Sequence, residues 1–147
     1  MTSSAVAILP LPAMTQSDGT SYNAANRLPE IPAPSANIRV AYTASKTAAL
    51  NRAETWIAEQ KPAFDVIHTH PSFIFGRDDL AASTADFQTG TNRLPLNIAL
   101  GLESEAQLNE WNDVGDTAKI HVMALDAAKV LGNQSYLASS SGLDGMR

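Results

Sequence analysis

The chain of 147 residues contains no cysteine, no cluster of basic residues and no apolar run long enough to span a membrane. Without cysteine, disulfides and thiolate metal sites are excluded, and the composition fits a reducing compartment, so we expect a cytoplasmic protein. The net charge of −5 argues against nucleic acid and anionic membranes as partners. Residues 1–11 are apolar but short and have no basic residue before them, so we expect neither a secretory signal nor a membrane span.

Glycine is also scarce in the first half of the chain, where Gly19 is the only glycine before Gly76. A G-x-x-G-x-x-G turn, which cradles the pyrophosphate of a dinucleotide at the start of a helix, is therefore missing from the sequence. The remaining composition, 44% hydrophobic and 17% charged, is that of an ordinary globular protein, and the length fits one domain.

The first half of the chain is predicted to place one long helix after a loop. Residues 1–11 indicate the end of a buried strand, and the proline-rich residues 12–37 predict an irregular loop. Residues 38–60 predict a helix that ends before Pro62, because they are rich in alanine and lack proline. Its buried stripe is expected to contain four residues at helical spacing, namely Leu50, Ala53, Trp56 and Ile57.

The second half is expected to alternate strands with helices, with strands over 64–69, 110–114 and 135–138, and helices over 92–100 and 117–131. Asn92 and Asp116 are expected to be the N-caps of these helices. Residues 71–79 are interpreted as a loop beyond the first of these strands, and residues 139–147 as a loose tail. A helix that feeds a strand is half of a βαβ unit, so the order predicts an α/β fold with a parallel sheet.

Tyr42 and Lys46 stand four residues apart near the start of the long helix. Residues at this spacing share one helix face, so a phenol and an ammonium can meet there. The positive charge of a lysine favours the phenolate form of a neighbouring tyrosine, and such a tyrosine can exchange a proton with a carbonyl or alcohol oxygen. The pair alone is also an ordinary surface contact, so its neighbours decide the interpretation.

Three histidines are further candidates. His68 and His70 alternate along a predicted strand and so point to one face, but no third metal ligand is evident, and we predict no metal site. We expect His70 near the loop over residues 71–79, His68 between sheet and helix, and His121 as a hydrogen-bonded core residue. Asp78 and Asp79 are interpreted as solvated loop residues.

Three stretches in this order resemble the extended short-chain dehydrogenase/reductase family, also known as the NAD-dependent epimerase/dehydratase family. They are T-S-S-A at residues 2–5, Y-T-A-S-K-T at residues 42–47, and D-T-A-K-I-H-V-M-A-L at residues 116–125. The match is to dihydroflavonol-4-reductase-like and ketoreductase-like members and runs from about Met1 to Ala138. It implies a partial Rossmann-type doubly wound parallel sheet, in one partial NAD(P)-binding domain over residues 1–147.

The resemblance also implies roles for individual residues. Ser4 would hold the substrate oxygen, Tyr42 would be the general acid/base, and Lys46 would bind the ribose hydroxyls of the nicotinamide cofactor and tune the tyrosine. Three residues beyond the next strand would lie along the nicotinamide, namely Pro71, Ser72 and Phe73. The implied activity is oxidoreduction of a small-molecule carbonyl or alcohol, with NADP slightly preferred over NAD.

Departures from the family limit this expectation. The glycine-rich cofactor half would lie upstream of Met1, so we expect the chain to be the middle of a longer enzyme and to be inactive or impaired as a fragment. Ala5 and Val6 follow Ser4 where dehydratases of the family place an acidic pair, which argues against dehydration. Two alternatives stay open: a sugar-nucleotide epimerase of the same family, and a catalytically silent or interaction protein.

Overall fold

The computed structural model describes residues 1–14, 19–32, 34–35, 37–102 and 110–141. Helices in these ranges are α1 (Ile38–Gln60), α2 (Arg93–Ala99) and α3 (Val114–Met123). Strands are β1 (His68–Pro71), β2 (Phe73–Phe75), β3 (Glu110–Asp113), β4 (Ser135–Ala138) and β5 (Ser140–Ser141). Within the described residues, no helix is long and apolar enough to cross a membrane.

The bounds of α1 agree with the predicted helix. Asn37 caps it, because the side-chain oxygen accepts hydrogen bonds from the backbone N–H groups of Arg39 (2.9 Å) and Val40 (3.2 Å). Lys61 ends it in the left-handed conformation, at φ +46°, immediately before Pro62. The predicted buried stripe is partly wrong: Leu50 is buried, but Trp56 is 47% exposed, and the face against the protein consists of Thr43, Ala44, Thr47 and Leu50.

The apolar N-terminus adds only a short bridge to the sheet. Thr2 pairs in parallel with Thr69, and the backbone N–H of Ser3 donates to the Thr69 carbonyl at 2.8 Å. The predicted strand end is thus confined to this bridge, because residues 5–7 turn into a 3-10 helix. Together with Leu50, this turn and the residues after it form the core: Ala5, Ala7, Ile8 and Leu9.

β1 and β4 form a parallel pair in which His68 lies opposite Ser135 and Pro71 opposite Ala138. The strand begins four residues later than predicted, because Phe64 is 60% exposed and stacks on Trp56 outside the sheet, with ring centroids 6.4 Å apart. All four residues of β1 are buried. The parallel pairing after a long helix confirms the predicted α/β fold with a partial parallel sheet.

A second sheet follows directly from the first. Ser72 separates β1 from β2, so the segment over 71–79 that was predicted to be a loop contains a strand. β2 pairs in parallel with β3, and β3 pairs in antiparallel with β5. The predicted tail over 139–147 therefore begins with a paired strand at Ser140–Ser141, and residues 142–147 lie outside the described residues.

The predicted cap of α3 is wrong, whereas Asn92 occupies the N-cap position of α2 as predicted but makes no side-chain cap bond. Asp113 caps α3, since its carboxylate accepts a hydrogen bond from the Gly115 N–H at 2.7 Å, and Asp116 lies inside the first turn. α3 ends at Met123, well before the expected Leu131, which is 77% exposed. Asn92 makes no side-chain cap, because its amide group bonds to the backbone of Gly76 instead.

The predicted loop over 12–37 contains a 3-10 turn at Leu11–Met14. No helix or strand is present in its other described residues, 19–32, 34–35 and 37. Its remaining positions, 15–18, 33 and 36, lie outside the described residues.

Candidate active site

Tyr42 and Lys46 meet on the exposed flank of α1, as their spacing predicts. The ammonium nitrogen of Lys46 lies 5.8 Å from the centroid of the Tyr42 ring, within the range of a cation–π contact. Tyr42 is 48% exposed, so about half of the residue is accessible from solvent. Next to it, the Ser45 hydroxyl donates to the Tyr42 carbonyl at 2.7 Å, which keeps that polar side chain on the helix.

Ser4 lies at the start of the 3-10 turn over Ala5–Ala7, and that turn packs against α1. Its backbone is extended, with φ −162° and ψ 152°, and its carbonyl accepts the Ala7 N–H at 3.0 Å. The residue is 9% exposed, in contrast to the open Tyr42. The structure thus brings the element of Ser4 to the helix of Tyr42, without a hydrogen bond between these two residues.

Pro71, Ser72 and Phe73 lie at the carboxyl end of β1, where ligands bind in open α/β sheets. Pro71 is buried, whereas Phe73 is 37% exposed and stacks on Phe75 with ring centroids 6.3 Å apart. The backbone N–H and hydroxyl of Ser72 both donate to the Ala138 carbonyl, at 3.0 and 3.3 Å. These bonds anchor the segment to β4, and the exposed Phe73 ring offers a flat apolar surface.

A group that the sequence did not indicate surrounds Arg27. Its guanidinium binds both carboxylate oxygens of Glu54 on α1, at 2.8 and 2.5 Å, and donates to the Ser135 hydroxyl on β4 at 3.1 Å. The hydrogen bonds from Arg27 lower the pKa of Glu54. The two residues are 27 positions apart and the loop has no periodicity, so no local pattern signals the pair.

His68 and His70 both lie buried in β1, and His70 directly precedes Pro71, the first residue of the segment over 71–79. They are 3% and 0% exposed, and their rings stack at 6.4 Å with an interplanar angle of 13°. Burial, reinforced by the charge of Arg27, lowers the pKa of His70 to about 4. No group of three or more potential ligands that could hold a metal is found among the described residues.

His121 is hydrogen-bonded at both ring nitrogens, as expected, but it is only half-buried on α3. Its Nε2 lies 2.8 Å from the hydroxyl of Thr2, and its Nδ1 lies 2.8 Å from the Thr117 carbonyl. The residue therefore ties α3 to the N-terminal bridge and has a structural role.

The donors present fit the ribose end of a nicotinamide cofactor. An ammonium supplies three hydrogen-bond donors and a phenol supplies one, and Lys46 and Tyr42 present both groups on an open helix flank. Pro71, Ser72 and Phe73 could line the nicotinamide ring. A cradle for the phosphates is not provided by these residues, because the sequence has no glycine-rich turn.

The chain is similar in sequence to curated fungal enzymes, although no protein-family model matches it. Ketoreductase CTB6 of Cercospora beticola is 46% identical over 127 residues, which cover 84% of this chain and 35% of that enzyme. The NAD-dependent epimerase/dehydratase ALT6 of Alternaria alternata is 33% identical over 125 residues, which cover 81% of this chain and 34% of that protein. The chain thus spans about a third of the length of these relatives.

Solved structures agree on the fold. An engineered reductase with attenuated substrate inhibition in asymmetric catalysis superposes with a TM-score of 0.68 at 23% identity, over 95% of this chain and 43% of that chain. Gre2 from Candida albicans superposes with a TM-score of 0.67 at 26% identity, over the same shares. With the sequence relatives, they establish that the chain belongs to the extended short-chain dehydrogenase/reductase family, the family of NAD-dependent epimerases/dehydratases.

Proposed function

We propose that this chain carries the Ser-Tyr-Lys site of an NAD(P)-dependent oxidoreductase that reduces a small-molecule carbonyl or oxidises the corresponding alcohol. The observation that carries the proposal is the Lys46 ammonium 5.8 Å above the ring of an exposed Tyr42. The contact puts a charged hydrogen-bond donor beside the phenol that would exchange the proton, so that one helix flank offers both groups to a cofactor and a substrate.

Each residue has a separate task in this mechanism. Tyr42 donates its phenolic proton to the carbonyl oxygen, or removes a proton from the alcohol in the reverse direction. Ser4 donates a hydrogen bond to the same oxygen, which fixes its position before the transfer. Lys46 stabilises the phenolate and binds the ribose hydroxyls. The nicotinamide cofactor, when bound, supplies or accepts the hydride at the carbon atom.

The segment Pro71–Phe73 would cover the nicotinamide ring and exclude water from it. Pro71 is buried and Ser72 is anchored to Ala138, so the exposed Phe73 ring is held on a rigid element. We place NADP before NAD as the cofactor, which follows from the family resemblance. Because the sequence lacks a glycine-rich turn for the phosphates, we propose that turnover by this chain alone is absent or impaired.

A reductase is preferred over a dehydratase because Ala5 and Val6, both buried in the core turn, follow Ser4. An apolar pair at this place offers no acid or base for the removal of water. Relatives named epimerase/dehydratase keep a sugar-nucleotide epimerase as the second candidate. Turnover of a nucleotide sugar, with no reduction of ketones, would select the epimerase.

Binding of cofactor pieces tests the site independently of turnover. Reduced nicotinamide mononucleotide contains only the nicotinamide, its ribose and one phosphate, so the residues present can contact most of it. We expect the purified chain to bind reduced nicotinamide mononucleotide and NADPH with dissociation constants within about threefold of each other. Both constants can be measured from NMR chemical-shift changes during titration. Lys46→Met should weaken both by roughly tenfold, the equivalent of one hydrogen bond to a charged group.

The catalytic role of Tyr42 is tested by its phenylalanine variant in a ketone-reduction assay with NADPH, in a longer protein that joins a glycine-rich cofactor half to this chain. Tyr42→Phe should lower turnover by about 10²- to 10⁴-fold and weaken cofactor binding by no more than about threefold, because the acid is lost while the donors of Lys46 remain. The matched control is Tyr136→Phe, a tyrosine of β4 that is 38% exposed, and it should change neither. Unchanged turnover in Tyr42→Phe, or failure of both ligands to bind the wild-type chain, would contradict the proposal.

A further inference from the structure

The stacked histidines of β1, here called the histidine pair (His68 and His70), are buried with little polar contact. None of their four ring nitrogens has a partner at full hydrogen-bond distance and angle among the described residues, and the Ser4 backbone is the polar group that interacts with the His70 ring. Their rings lie parallel within 13°, at a centroid distance of 6.4 Å. A buried polar group without a full hydrogen bond is costly, so the pair is an unusual choice for the centre of a fold.

The histidine pair faces α1. Arg27 joins Glu54 on α1 to the side chain of Ser135, the residue of β4 that lies opposite His68, which places the pair on the helix side of the sheet. Thr43, Thr47 and Glu54 share one helix face by their spacing. The hydroxyls of Thr43 and Thr47 are buried and also lack a hydrogen-bond partner in the described structure. The layer between α1 and the sheet therefore contains a seam of buried polar groups with few hydrogen bonds.

The charges around this seam are mainly positive. The positive charge of Arg27 lowers the pKa of both histidines, and that of the N-terminal amine of Met1 lowers the pKa of His68. The carboxylate of Glu54 is the opposing charge, but it is held by the two nitrogens of Arg27. On β4, the neighbouring residues of the same face are Ser135 and Leu137, which carry no charge. A proton added to either ring would thus be buried beside a cation and without a free anion.

We propose that the histidine pair is an acid-sensitive contact that releases α1 from β1 when it is protonated. α1 carries Tyr42 and Lys46, so the release would disperse the candidate site. The inference itself depends on the packing of α1 and stands whether or not those two residues are catalytic.

The direction of the effect follows from linkage. Burial lowers the pKa of both histidines in the closed state, and the pKa of His70 falls to about 4, whereas an exposed histidine titrates near its ordinary value of about 6.5. The open state then binds more protons between these values, so the contact is intact above the ordinary value and weakens as the pH falls below it. For His70 alone, the opening constant should rise roughly tenfold between pH 7.5 and pH 5.5.

Hydrogen exchange of the full chain measures this opening. After correction for the intrinsic pH dependence of exchange, protection of α1 amides over residues 43–54 should fall roughly tenfold between pH 7.5 and pH 5.5. Amides of α2 serve as an internal reference and should change by less than about threefold, because that helix carries no histidine.

Variants separate the histidine pair from other titrating groups. The double variant His68→Gln, His70→Gln keeps polar side chains that cannot charge, and the protection of α1 should change by no more than about twofold with pH. The matched control His121→Gln removes a half-buried histidine of α3 and should behave as the wild type. An α1 that keeps its protection at pH 5.5 in the wild type, or loses it equally in the double variant, would overturn the proposal.

Discussion

Arg27 joins three parts of the chain through one side chain. It binds the Glu54 carboxylate on α1 at two points and the Ser135 hydroxyl on β4, and its Nη1 donates to the carbonyls of Ala24 and Asn26 at 2.8 and 2.6 Å. A planar guanidinium can satisfy all of these acceptors at once, which an ammonium cannot. The loop before α1 is therefore fastened to both layers of the fold.

Removal of this side chain should weaken the fold measurably. Arg27→Met should lower the free energy of unfolding by about 1–2 kcal/mol. This is less than for a fully buried ion pair, because the side chains of Arg27 and Glu54 are each about a third exposed and solvent screens their attraction. Urea unfolding at neutral pH measures the loss. Arg52→Met is the matched control: its ion pair with Glu30 is 3.7 Å long and its side chain 78% exposed, so the loss should be under about 0.5 kcal/mol. Equal losses in both variants would contradict this ranking.

The contrast between Arg27 and Tyr42 shows what sequence can reveal about single residues. The meeting of Tyr42 and Lys46 was predictable, because four residues of helix fix it locally. The pairing of Arg27 with Glu54 depends on the path of an aperiodic loop, and the stacking of His68 on His70 against α1 depends on which face of the sheet the helix covers. Such contacts arise only after the tertiary fold is set.

Among the elements, α1 was predictable because its sequence agrees with its fold throughout, from the Asn37 cap to the residue before Pro62. α3 was not, because β3 passes into it without a loop. The strand ends at Asp113 and the helix begins at Val114, so the capping residue belongs to the strand. The prediction placed a separate loop between strand and helix and therefore assigned the cap to the next acidic residue, Asp116.

The two acidic residues should therefore differ in stability effect. Asp113→Ala removes the side-chain bond to the Gly115 N–H and should cost about 1 kcal/mol of unfolding free energy. Asp116→Ala removes only a favourable charge in the first turn of α3 and should cost about 0.3–0.5 kcal/mol, less at high salt. Thermal unfolding at low and high salt compares them. A larger loss of unfolding free energy in Asp116→Ala than in Asp113→Ala would instead support Asp116 as the N-cap of α3.

The turn after β2 requires glycine. Gly76 has φ +140°, and an added Cβ atom would lie 2.6 Å from the Val114 side chain at the start of α3. Gly76→Ala should thus cost about 2–4 kcal/mol, from backbone strain together with overpacking. Gly90→Ala, at φ +60° with open space around it, should cost only about 1–2 kcal/mol from the backbone. Chemical denaturation of the two variants checks whether close approach, and not conformation alone, sets the requirement.

At the scale of the whole molecule, the parallel arrangement was predictable and its division into two sheets was not. The helix–strand order indicates parallel pairing, which β1 and β4 make. The break falls at Ser72, whose backbone N–H still continues the ladder by donating to the Ala138 carbonyl, so no local pattern marks it.

The end of α3 leaves apolar side chains in water. Val122, Met123 and Leu125 are 68%, 57% and 82% exposed and lie within four consecutive residues, so the end of α3 and the residues after it present an exposed apolar surface. We expect the purified chain to self-associate through this surface at high concentration. Val122→Lys with Leu125→Lys should reduce the association, measured by light scattering over a concentration series, because two charges interrupt the surface and a cation suits a helix C-terminus.

The control for this prediction adds the same two charges elsewhere. Leu80→Lys with Thr84→Lys changes an exposed loop in which Leu80 is 92% exposed as a single apolar residue, so association should decrease only slightly. If both double variants reduce association equally, net charge governs it and the apolar surface of α3 does not. If neither does, the chain associates through another surface, and the exposed end of α3 is tolerated in water.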